Sequence, residues 1–116
     1  MGKYGILEDF VRDQNINLLD PQKVYDAGIA FKEMSLYESA IQLFIKSSEH
    51  EDWTGRSAHM VALCLVEIDA GEVEEDDLIR AVGLIDEVLT DDNAGLKGKD
   101  IDEIQEIRSI IADNLF

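Results

Sequence analysis

The chain has 116 residues, which is the size of one domain and too few for two. Its 26 acidic side chains outnumber 10 basic ones, and the net charge of −16 argues against a surface that binds nucleic acid or anionic lipid, since both would be repelled. An apolar fraction of 46% is too high for a disordered chain, and a single cysteine excludes an intramolecular disulfide.

The spacing of apolar residues is helical nearly throughout, and no run alternates with the period of two that a strand requires. The first predicted helix covers residues 4–12 and is followed by a connector. The second has the clearest start signal, with Asp20 as the N-cap and Pro21 at the first helical position, and it ends near residues 34–35. The third covers residues 36–48 and carries an amphipathic stripe.

The remaining helices follow in the second half of the chain. The fourth covers residues 53–70, with Asp52 as its N-cap and Gly71 as its C-cap, and its apolar centre predicts a buried position. The fifth covers residues 74–90 and has an acidic first turn. The sixth begins at Asp100, where Glu103 completes a capping box. The fold class is therefore all-α.

Small and aromatic residues recur along the second and third helices at Gly28, Phe31, Ala40 and Phe44. This pattern resembles the tetratricopeptide repeat (TPR), a pair of antiparallel helices in which small residues permit a close approach. The resemblance covers a clear repeat at residues 21–54 and a degenerate one at 55–90, without the usual first Trp and final Pro. It implies a TPR-like stack of helical hairpins with an N-terminal helix and a C-terminal capping helix. An unrelated helical bundle is the alternative.

TPR modules bind a peptide or helix of a partner along the face made by the first helix of each repeat. Position by position, the resemblance implies a partner-binding groove made of Gln22, Tyr25, Ile29, Lys32, Arg56, His59, Leu63 and Val66. One TPR subclass holds C-terminal carboxylates with Lys and Asn side chains. Here Asp26 occupies the position of the Asn, so the resemblance does not extend to that clamp.

No motif predicts catalysis or a bound metal. His50 and His59 are not at a metal-ligand spacing, and His59 is either a structural residue or part of the binding face. Cys64 lies in the most apolar run, which predicts an inert buried thiol. Residues 91–102 fail the calcium-loop pattern, which needs Gly at its sixth position. We therefore expect no enzyme, no metal and no cofactor.

Residues 1–116 are expected to form a single cytoplasmic domain. The longest apolar run, residues 60–66, is far shorter than the about 20 residues of a membrane-spanning helix. Residues 4–9 lack the apolar core of a signal peptide. We expect no membrane insertion.

Two functions are consistent with this pattern. The first is a non-enzymatic protein–protein interaction module, a TPR-like adaptor or chaperone-like subunit that binds a protein or peptide partner in its groove. The alternative is an acidic decoy that mimics nucleic-acid charge, because residues 71–116 carry 14 acidic and 4 basic side chains, a net charge of −10. Neither function involves direct contact with nucleic acid. Self-association through the exposed ends of a short stack stays an open alternative.

Overall fold

Helices account for the regular structure of the residues that the structure describes. The computed structural model describes residue 12 and residues 20–68, 73–90, 96 and 98–115, with side chains described as far as residue 113. Over these residues it contains no strand, which confirms the predicted all-α fold. The helices are α1 (Pro21–Glu33), α2 (Tyr37–Ser47), α3 (Thr54–Glu67), α4 (Glu75–Thr90) and α5 (Gly98–Leu115), with a 3₁₀ turn at Glu51–Trp53. The first predicted helix lies outside the described residues except for Arg12, which is helical.

Local sequence signals fix both ends of α1. Oδ1 of Asp20 accepts hydrogen bonds from the backbone N–H of Gln22 at 3.1 Å and of Lys23 at 3.4 Å, which confirms the predicted N-cap. At the other end Ser35 has φ of 62°, and the N–H of Leu36 donates to the carbonyl of Phe31 at 2.9 Å. This is a Schellman ending with serine where glycine is usual. The three-residue turn sends α2 back antiparallel to α1.

A close contact between Gly28 and Phe44 sets the distance between α1 and α2. A Cβ atom built on Gly28 would lie 2.7 Å from Cε1 of Phe44, which is far inside the contact distance of carbon atoms. The Phe44 side chain is fully buried, and the ring of Tyr25 packs edge-on against it at 5.4 Å. The absence of a side chain at residue 28 therefore lets the two helices approach.

The start of α3 differs from the prediction. Residues 51–53 form the 3₁₀ turn, and Trp53 occupies the N-cap position without a side-chain hydrogen bond, so the prediction of Asp52 as N-cap is wrong. The reason is that Oγ1 of Thr54 donates to the carbonyls of Ser48 at 2.8 Å and His50 at 3.2 Å, which holds the turn in place. The helix ends at Glu67, three residues before the predicted end. The predicted C-cap at residue 71 lies outside the described residues.

Helix α3 is central, as predicted, and packs against α2, α4 and α5. Between α2 and α3, the fully buried hydroxyls of Ser47 and Ser57 lie 2.6 Å apart. Ser47 donates its proton to the carbonyl of Phe44 at 3.0 Å, so Ser57 must donate to Ser47. This chain of hydrogen bonds pairs both hydroxyls inside the core.

The last two helices complete the core. Helix α4 begins one residue later than predicted, and α5 begins at Gly98, two residues before Asp100. Asp100 therefore lies in the first turn, where its charge suits the helix dipole, and its prediction as N-cap is wrong. Arg108 of α5 donates from Nε and Nη2 to the carboxylate of Asp86 of α4 at 2.7 and 3.4 Å. Buried apolar side chains from all five helices form one cluster.

Candidate functional site

Helices α1 and α3 both pack against α2. Near their first turns lies an aromatic cluster made of Tyr25 of α1, Trp53 of the 3₁₀ turn and Arg56 of α3. Their last turns, together with α5, line a cleft. Five of the eight predicted groove residues therefore lie in one of these two regions, which together we call the groove.

The aromatic cluster is built from two rings tilted by 50° to each other and one cation. The ring of Tyr25 lies 5.3 Å from that of Trp53, and Cζ of Arg56 lies 4.4 Å above the Trp53 ring. Burial raises the pKa of Tyr25, and the nearby Arg56 charge opposes this shift, so the phenol is protonated at neutral pH. Two predicted residues, Tyr25 and Arg56, are thus brought together by Trp53.

The cleft at the other end has a volume of about 260 Å³. It is lined by Lys32, Leu63, Val66, Glu67, Glu103, Glu106, Ile107 and Ile110. We call it the acidic cleft because three of these eight residues are glutamates. Val66 is 49% exposed and Ile110 is 44% exposed, so apolar surface from α3 and α5 faces solvent here. Three predicted residues, Lys32, Leu63 and Val66, lie together in this cleft.

His59 is held by α5. Its Nε2 atom lies 2.9 Å from Oε1 of Glu103, and the imidazole is largely covered. The last helix therefore lies across the second half of the predicted groove and forms one of its walls.

The two other predicted residues are on α1. Gln22 is exposed, and its backbone N–H donates a hydrogen bond to Oδ1 of Asp20. Ile29 is half-buried and packs against the core. The acidic cleft does not include either of them.

The predicted groove lacks Trp53 and the side chains of α5. The sequence pattern places Trp53 at the start of a helix and Glu103 in a capping box. One signal could have revealed the α5 wall. Isoleucine recurs along α5 at residues 101, 104, 107, 110 and 111, which is wider than a single buried face, and the structure buries Ile107 while leaving Ile110 exposed.

The cysteine and the candidate metal ligands of the described residues are placed as follows. Cys64 is fully buried, and burial raises its pKa to about 12, so the nucleophilic thiolate is absent at neutral pH. No three His, Cys, Asp or Glu side chains within the described ranges are grouped to hold a metal ion. The helices described here include none that is long and apolar enough to cross a bilayer.

Comparison with protein-family models, curated proteins and solved structures finds no match to this chain. Membership of the TPR family therefore stays a prediction based on the residue pattern.

Proposed function

We propose that this chain is a non-enzymatic protein–protein interaction module, a TPR-like adaptor or chaperone-like subunit of the cytoplasm. It binds a peptide or helix of a partner protein in the groove between α1, α3 and α5. The observation that carries the proposal is the exposed apolar surface of Val66 and Ile110 inside a cleft formed by three helices. Apolar surface of this kind, bordered by charged side chains, is typical of interaction sites.

The dimensions of the acidic cleft favour a protein partner over a small molecule. Pockets for small ligands usually enclose about 300–1,000 Å³ and are mostly closed. The cleft is slightly smaller, at about 260 Å³, and it is partly open to solvent. It suits one or two side chains projecting from a larger partner.

The close contact of Gly28 with Phe44 supports the TPR-like part of the proposal. The family pattern has a small residue and an aromatic residue at these positions, and here they meet between α1 and α2. Helix α2 packs against both α1 and α3, as expected for helical hairpins that stack in series.

A second candidate function is the acidic decoy. The exposed carboxylates of Glu75, Asp76 and Glu87 along α4 favour it, because they lie outside the acidic cleft. A decoy would bind a basic partner through these charges, and its affinity would fall steeply with salt. The groove would then be dispensable.

Selection from a random peptide library tests the proposal without knowledge of the natural partner. Peptides selected on the wild-type chain are then measured against Val66→Gln, which removes apolar surface from the acidic cleft. The matched control is Ile79→Gln, because Ile79 is 56% exposed on α4 and lies outside the cleft. We expect Val66→Gln to weaken binding about tenfold and Ile79→Gln to leave it unchanged. Selection of no peptide, or of peptides indifferent to Val66→Gln, would refute the proposal.

A further inference from the structure

The charges around the acidic cleft are unbalanced. Glu67, Glu103 and Glu106 place three carboxylates on its lining, and Lys32 supplies one ammonium group. Glu67 is the last residue of α3 and Lys32 lies in the last turn of α1, so the negative ends of two helix dipoles also face this region. A positively charged partner is therefore favoured here.

The exposed apolar side chains of the cleft come from two helices. Val66 of α3 and Ile110 of α5 are exposed, whereas Leu63, one turn before Val66, is half-buried and Ile107, one turn before Ile110, is buried. Apolar surface supplied by two neighbouring helices suits the apolar stripe of a third helix.

We infer that the acidic cleft binds an amphipathic helix of a partner protein whose apolar stripe is flanked by Lys or Arg. The inference rests on the proposed function and specifies the chemistry of the partner. Apolar side chains of the helix contact Val66 and Ile110, which are exposed in the cleft. Its basic side chains reach Glu67 and Glu106, which are exposed at the edge of the cleft.

Three synthetic peptides of about 18 residues, or five helical turns, serve as probes. The first carries Leu at helical spacing flanked by Lys. The second has Glu in place of each Lys, and the third has Ser in place of each Leu. Fluorescence anisotropy at low and moderate salt measures their affinities for the wild-type chain. We expect the first to bind at least tenfold more tightly than either of the others.

Charge-reversed variants distinguish the cleft from the general negative field of the protein. The double variant Glu67→Lys/Glu106→Lys is compared with the double variant Glu75→Lys/Glu87→Lys. The two proteins have the same net charge, but the second pair of substitutions lies outside the cleft. All four residues are exposed, so both variants are expected to fold, and circular dichroism checks this. We expect the cleft variant to weaken binding of the Lys peptide about tenfold and the control to change it less than twofold.

Equal weakening by the two variants, or equal affinity for the Lys and Glu peptides, would overturn the inference. Library peptides that depend on Val66 but carry no basic residues would also overturn it, while leaving the proposed function intact. If no peptide of any charge depends on Val66, both the inference and the proposed function fail.

Discussion

Replacement of Gly28 by Ala tests the packing of α1 against α2. The new Cβ would lie 2.7, 2.8 and 2.9 Å from Cε1, Cζ and Cδ1 of Phe44. Carbon atoms in contact normally lie about 3.5–4.0 Å apart, so the ring or the helix must move by roughly 1 Å. Phe44 is fully buried and cannot swing into solvent.

Two opposing effects decide the magnitude. Overpacking of a core costs about 1–3 kcal/mol, whereas replacing Gly by Ala inside a helix gains about 1 kcal/mol. We therefore expect Gly28→Ala to lower the free energy of unfolding by about 1 kcal/mol. Gly83 provides the control, because it lies inside α4 and a Cβ there meets no atom within 4 Å. Gly83→Ala should raise the free energy of unfolding by about 1 kcal/mol, which is the full difference in helix propensity between Ala and Gly.

Urea denaturation followed by far-ultraviolet circular dichroism measures both variants. The two substitutions should move the midpoint in opposite directions, with a difference in unfolding free energy of about 2 kcal/mol. In thermal scans the pair should differ by about 8 °C for a domain of this size. Equal stabilisation of the protein by both alanines would show that Phe44 leaves room for a side chain at residue 28.

Three further predictions concern single side chains. Ser35→Gly should raise the unfolding free energy by about 0.5–1 kcal/mol, because the φ of 62° suits glycine, and an unchanged urea midpoint would contradict this. Ser47→Ala should lower the free energy of unfolding by about 1–3 kcal/mol, and by more than Ser57→Ala, because it leaves the buried Ser57 hydroxyl without its acceptor. A larger loss for Ser57→Ala in urea denaturation would contradict the assignment of Ser57 as the donor. The pKa of Cys64 is raised from 9.0 to about 12 in the folded protein, so the unfolded state loses this proton first as pH rises. The free energy of unfolding should therefore fall between pH 9 and 12 by up to about 1.4 kcal/mol per pH unit. Cys64→Ala should remove this contribution to the pH dependence. If the wild type and Cys64→Ala lose stability equally over this pH range, the burial of the thiol is contradicted.

The sequence was most informative where one local signal decided the structure. Asp20 and Pro21 together specify the start of α1, and the acidic residues before Leu78 locate α4 to within one residue. Asp52 and Asp100 are equally good capping residues by type, yet neither caps a helix. At Asp52 the hydrogen bonds of Thr54 to an earlier turn decide the outcome, and these bonds are not visible in a local pattern.

The candidate site was harder to predict because it depends on contacts between distant residues. The eight groove residues came from two helices, and the structure adds a third wall from α5. The contact between His59 and Glu103 joins residues 44 positions apart, so no periodicity within one helix could reveal it. Charge composition alone shows that most acidic side chains lie in residues 71–116, but it cannot show that some of these side chains line a cleft.

The groove, and not the acidic face of α4, is proposed to bind the partner. An amide NMR titration with the tightest peptide from the library distinguishes these two surfaces. We expect shifts concentrated in residues 63–67 of α3 and 103–110 of α5, and little change in residues 75–87 of α4. Shifts concentrated on α4 that disappear at moderate salt would contradict binding in the groove and favour the acidic decoy.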